Sequence, residues 1–284
     1  MIKIVTDSAT DVPDDLIRRY GITSVPNYVR IGQRVYRDMV EIDQSEILRR
    51  MVVDKVVVKT SQCSPGDFLQ AYRELTADGS TVISIHLSSK LSGIYQSATL
   101  ARTMLPDRDI HVVDTGTGSM ASGFAVIAAA RLAHLGKTRE HILQAARAMA
   151  ERARIFLTCD SLECICRNGR ISRAQALIGS LFSIRPVLSV QDGVLAAVDR
   201  VRGAQKVIPR LVELCRQHIP EGTRVSVAVG HVDVLDRAKA LAAELQKVLN
   251  IGEMFIFRTG AAITANLGPG TFGVMFCPEE PITS

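Results

Sequence analysis

Two hydroxyl-rich segments each stand between a β-branched run and a helical pattern. Thr60-Ser61-Gln62-Cys63-Ser64 follows Val56-Val57-Val58-Lys59, and Ser88-Ser89-Lys90-Leu91-Ser92-Gly93 follows the run from Thr81 to Leu87. Short hydroxyl side chains beside free backbone amides at strand ends can hold the oxygens of an acidic ligand. At Ser92 and Gly93 a hydroxyl, an unobstructed backbone and the positive end of a helix coincide. Ser64 reads as an N-cap and Pro65 as the first helical residue, with Phe68, Ala71, Tyr72 and Leu75 at helical spacing. Taken singly, each segment reads better as a helix cap than as a binding loop. The repetition predicts that Thr60, Ser61 and Ser92 converge on one pair of ligand oxygens.

Other chemistry is less well supported. Asp114-Thr115-Gly116-Thr117-Gly118-Ser119 resembles a dinucleotide loop, but the acidic residue such a site needs at the end of a following strand is absent, Glu140 falling in a helical stretch. The spacing of Cys159, Cys164 and Cys166 matches no common zinc pattern, so no metal is expected. No cofactor is implied and no residue is assigned as catalytic. A serine-nucleophile hydrolase using Ser92 is the enzymatic alternative, yet no Gly-x-Ser-x-Gly elbow surrounds it. The net charge of +5 comes from 34 basic and 29 acidic residues without a basic run, which gives nucleic acid no footprint. No stretch approaches the roughly 18 apolar residues of a bilayer span, and the amino terminus reads as a strand, not a signal peptide, so a cytoplasmic protein without stable membrane insertion is expected.

The elements that must position these residues are α/β. With 47% hydrophobic residues, 5% aromatic and no Trp, the core rests on Val, Ile, Leu and Ala. Strands are predicted at Ile2 to Thr6, Val56 to Lys59, Thr81 to Leu87 and Ile110 to Asp114, alternating with amphipathic segments, as in a mainly parallel sheet flanked by helices. Further strands are predicted at Phe156 to Cys159, Val187 to Val190, Val194 to Val198, Arg224 to Val229, Met254 to Phe257 and Gly273 to Cys277. Helices are expected at Ser172 to Phe182, Ala204 to His218 and Val234 to Leu249. Gln191-Asp192-Gly193 signals a hairpin. The division expected is an α/β domain over 1–155 and a mixed-sheet α/β domain over 156–284, with a ligand cleft between them.

The collinear set Thr6-Asp7-Ser8, Thr60 to Ser64, Leu91 to Ala98, Leu162-Glu163, Asn168 to Ser172, Arg185 to Leu188, Asp192-Gly193, Arg200 to Gly203 and Gly268-Pro269-Gly270 resembles the DegV family of bacterial fatty-acid-binding proteins over nearly the whole chain. The resemblance implies a two-domain fold that buries one long-chain fatty acid and presents its carboxyl group to a partner fatty-acid kinase, which makes the acyl phosphate. It carries the carboxylate-binding role onto Thr60, Ser61 and Ser92, with Gly93 beside them, and makes Arg170 and Arg202 candidates for the pocket rim or for partner docking. Arg170 equally reads as neutralising a helix end. One position departs: relatives usually carry His where this sequence has Asn266, whose amide can donate a hydrogen bond but holds no charge at any pH. The departure leaves room for an adapted ligand, or for a regulatory protein with a vestigial cavity.

Overall fold

The computed structural model describes residues 1–170 and 184–279; the helix expected from Ser172 to Phe182 lies outside them. In chain order the elements are β1 (Ile2–Asp7), α1 (Asp14–Tyr20), β2 (Thr23–Val25), β3 (Tyr28–Ile31), β4 (Arg34–Arg37), α2 (Gln44–Leu48), β5 (Val58–Ser61), α3 (Pro65–Leu75), β6 (Thr81–His86), α4 (Ile94–Thr103), β7 (Ile110–Asp114), α5 (Met120–His134) and α6 (Arg139–Arg152). They continue as β8 (Arg154–Thr158), α7 (Glu163–Arg167), β9 (Ile184–Gln191), β10 (Val194–Arg202), α8 (Val207–His218), β11 (Arg224–His231), α9 (Leu235–Val248), β12 (Asn250–Arg258), α10 (Ala261–Leu267) and β13 (Phe272–Pro278).

The strands form a four-stranded sheet in the order β2-β1-β6-β7, a six-stranded sheet in the order β10-β9-β8-β13-β11-β12 and a three-stranded sheet in the order β4-β3-β5. The first is parallel throughout, so both of its faces are buried and its strands read as nearly unbroken apolar runs. The period of two sorts them: Ile4, Ile83, Ile85 and Val113 pack on α5 and α6, while Val5, Val82 and Ile110 pack on α3 and α4. The six-stranded sheet is mixed. Its Ile155, Leu157 and Met275 meet Met120, Phe124 and Ile127 of α5; Phe156, Val227 and Val274 on its other face meet α8 and α9. Helix α5 therefore lies between the two large sheets, which is why residues all round it are buried. Asp192 and Gly193 both take positive φ, +51° and +78°, in the two-residue turn between β9 and β10, as the hairpin signal predicts.

The small sheet corrects the expected position of the first hydroxyl segment. β5 pairs antiparallel with β3, not in the parallel sheet, and runs Val58–Ser61 instead of Val56 to Lys59. Lys55 takes φ +54° and the Val56 amide closes back on the Arg50 carbonyl, so the chain cannot extend before this turn ends. Thr60 and Ser61 are thus strand residues on opposite faces of β5. Among the described residues, no helix is long and apolar enough to cross a membrane.

Candidate functional site

The β5 end, the β6–α4 loop, the β7–α5 loop, the inner face of β8 to β10 and one side of α10 enclose about 830 Å³ of space, its opening to solvent included. Its walls are mostly apolar, with Leu87, Leu91, Ile155, Leu157, Leu195 and Ile263 among them, and Thr60, Ser61, Ser92, Asn27, Ser119 and Asn266 supply polar groups. Among the described residues, Arg170 is the one charged member of the lining.

Thr60 faces inward on β5 opposite Val29, and its Oγ1 accepts a hydrogen bond from Asn266 Nδ2 at 3.1 Å. Ser61 points the other way and is exposed at the mouth. The Ser92 hydroxyl is half-buried and has no hydrogen-bond partner among the described residues. Its loop is fastened to the β9–β10 turn, for Ser88 Oγ donates to the Gly193 carbonyl at 2.7 Å and Lys90 Nζ to the Asp192 carbonyl at 2.9 Å. Gly93 stands outside the lining. A Cβ there would come within 2.4 Å of the Gln62 side chain, so what it provides is room for Gln62. Arg202 is exposed on the edge strand β10, away from the cavity.

Helix α10 carries Asn266, and the rest of the chain clamps it. Asp11 Oδ1 accepts from the Gly260 amide at 2.7 Å and Asp38 Oδ1 from the Ala261 amide at 2.9 Å, giving its amino-terminal end carboxylate partners. Asn168 Nδ2 donates to the Ala265 carbonyl at 3.0 Å, and Gln44 Nε2 reaches Thr264 Oγ1 at 3.2 Å. Burial pushes the Asp11 carboxyl up to about 7, against hydrogen bonds from Ser119 and the Gly260 amide that hold it down; burial raises Asp38 as well. Ser119, which donates to Asp11 and lines the cavity, sits at φ +51°, ψ −146°, a strained conformation for a residue with a Cβ.

A buried chain of polar groups beneath the loops was not among the sequence expectations. Asp7 Oδ2 meets His86 Nδ1 at 2.8 Å, His86 Nε2 meets Ser84 Oγ at 2.7 Å, and Tyr72 Oη donates to Ser84 Oγ at 2.8 Å. The signal was present, since Ser84 and His86 share one face of β6 by their spacing. The order mimics a hydrolase triad, but Ser84, His86 and Tyr72 are fully enclosed and do not line the cavity. No histidine bonds Ser92 among the described residues. Cys63 packs wholly buried, and desolvation pushes its thiol far up, which suits a filler and not a nucleophile.

A family profile described as an uncharacterised protein of the DegV family matches residues 1–279. A DegV domain-containing protein of Caldanaerobacter subterraneus subsp. tengcongensis is 34% identical over 275 residues, covering 97% of this chain and 98% of its own. Among solved structures, a DegV family protein from Thermus thermophilus described for its fatty acid binding superposes with a TM-score of 0.90 at 34% identity, covering 98% of this chain and 99% of its own. DegV of Bacillus subtilis, described as a fatty acid binding protein, gives 0.89 at 31% identity with the same coverage.

Proposed function

Because this chain belongs to the DegV family, we propose that it binds one long-chain fatty acid in the cavity beside α10, between an amino-terminal unit of residues 1–155 and a carboxy-terminal unit of 156–284. The observation that carries the reading is an apolar cavity whose polar lining includes Thr60, Ser92 and Asn266, in a chain whose relatives from Thermus thermophilus and Bacillus subtilis are described as fatty-acid binders. Burying about fifteen methylenes at ~0.8 kcal/mol each supplies on the order of 12 kcal/mol before the cost of association. Chain burial therefore dominates affinity, and Thr60 and Ser92 orient the head group. Ser61 and Arg170 form the rim.

The protein acts as a cytoplasmic carrier and not as a catalyst. The carboxyl group is offered to a partner kinase that transfers a phosphoryl group from a nucleotide to the acid; Arg202, exposed and away from the cavity, is a docking contact. Solvent extraction and mass spectrometry of the purified protein test the binding step: about one acyl chain per protein is expected, and less in Ser92→Ala. Wild-type protein that carries no lipid and takes up no added fatty acid refutes the proposal.

A further inference from the structure

The hydrogen bonds around Asn266 have a direction, and it differs from the sequence expectation that this amide donates to the ligand. Nδ2 gives its hydrogens to Thr60 Oγ1 at 3.1 Å and to the Ala262 carbonyl at 2.8 Å, one turn back in the same helix. Turning the amide over would set its oxygen against the Ala262 carbonyl, two acceptors in contact, so the network fixes the orientation. Oδ1 is then left buried with no partner among the described residues. A buried acceptor without a donor is costly and calls for a group to satisfy it. Thr60, already accepting from Asn266, keeps its own hydroxyl hydrogen for the ligand.

The head-group end thus offers one fixed acceptor, Asn266 Oδ1, and two hydroxyls able to donate, those of Thr60 and Ser92. A carboxylate has only acceptors and would leave Oδ1 unpaired. From this geometry, and resting on the fatty-acid reading above, we infer that the site takes its ligand with a neutral head group that both donates and accepts: the protonated long-chain acid, whose O–H donates to Asn266 Oδ1 while its carbonyl accepts from Thr60.

The surrounding charges are few. Among the described residues Arg170 alone in the lining is charged, it favours the ionised acid, and its Nη1 is engaged with the Asn168 carbonyl. Lys59 and Arg30 are on the outer face of the small sheet. The Glu46–Arg49–Arg50 and Glu163–Arg167 pairs lie at the surface of α2 and α7, and Asp11 and Asp38 hold the opposite end of α10. Burial in an apolar cavity adds to the preference for the neutral form.

Delipidated full-length protein loaded with carboxyl-labelled palmitic acid and followed by carbon NMR from acid to alkaline pH tests this. The bound carboxyl carbon is expected to keep the position of the protonated acid to above about pH 7, and Asn266→His, which can place an N–H on the head group, to lower that midpoint by about one pH unit or more. Palmitamide, which has the same donor and acceptor, should displace palmitate from the wild type. A bound carbon at the carboxylate position throughout, with one palmitate per protein, overturns the inference while the fatty-acid reading stands. Protein that binds neither palmitate nor palmitamide overturns both.

Discussion

Thr60→Val separates the contributions of head group and chain. The substitution keeps the branched shape on β5 and removes one oxygen, which accepts from Asn266 Nδ2 at 3.1 Å and is free to donate to a ligand. Neutral hydrogen bonds contribute about 0.5 to 1.5 kcal/mol net, whereas bonds to a charged group contribute roughly 1.5 to 3. If Thr60 donates to the carbonyl of a neutral acid, palmitate binding should weaken by about 2- to 12-fold, and by roughly 12- to 160-fold if it holds a carboxylate. Titration calorimetry on delipidated protein with saturated acids of increasing length gives both the size of the loss and its dependence on chain. Each added methylene should contribute ~0.8 kcal/mol in wild type and variant alike, until the cavity is filled. Unchanged palmitate affinity would show that Thr60 does not touch the head group. A changed increment per methylene would show that Thr60 and the chain are not independent, and the division of labour argued from the cavity would fail.

Asp11→Asn should alter the pH dependence of stability in one direction. The Asp11 carboxyl lies near 7 in the folded protein against an ordinary 3.8, so between those values the folded state retains a proton that the unfolded state has released, and stability falls as pH rises through that window. Asn cannot ionise, so thermal unfolding at several pH values should show the variant gaining on wild type from about pH 4 to 7 and holding its gain above; a difference that does not vary with pH would contradict the burial of this group. Tyr72→Phe removes the 2.8 Å bond to Ser84 inside the core and should lower stability by about 1 kcal/mol, a melting-point drop of roughly 2 to 4 °C, with lipid content unchanged. Altered lipid content would connect the Asp7–His86–Ser84 chain to the cavity.

Local signals carried far in the sequence, and they fail where partners are remote. Parallel strands β1, β6 and β7 were legible because a sheet buried on both faces demands unbroken β-branched runs such as Ile2 to Thr6 and Thr81 to Leu87, whereas the three-residue edge strand β2 was not; the β9–β10 turn was legible because only Asp-Gly-like pairs accept positive φ twice. The helix beginning at Pro65 declared itself through Ser64, whose hydroxyl and whose partner Asp67 form a capping box. The small sheet, whose four-residue strands carry too few periods to read, was missed. So was α10, since Ala261–Leu267 makes a short helix that is stabilised by carboxylates 223 and 249 residues away.

That distance explains the one misreading that matters for the site. Asn266 offers its donors to a ligand only if no nearer acceptor takes them. Which acceptors are near depends on the Thr60 hydroxyl, brought to the same place by β5 pairing antiparallel with β3, and on the Ala262 carbonyl on the same side of α10. Residue type alone gives Asn266 two donors and an acceptor; the fold uses the donors internally and leaves the acceptor. Exchanging the His that the family resemblance implies for Asn therefore changes more than titration. An imidazole ring can turn a single N–H or lone pair toward the head group, whereas this amide is held by two bonds and presents oxygen. The chemistry of the head-group end is set by how α10 is clamped, and residues that never touch the ligand, Asp11 and Asp38 above all, belong to the reason that it reads a proton.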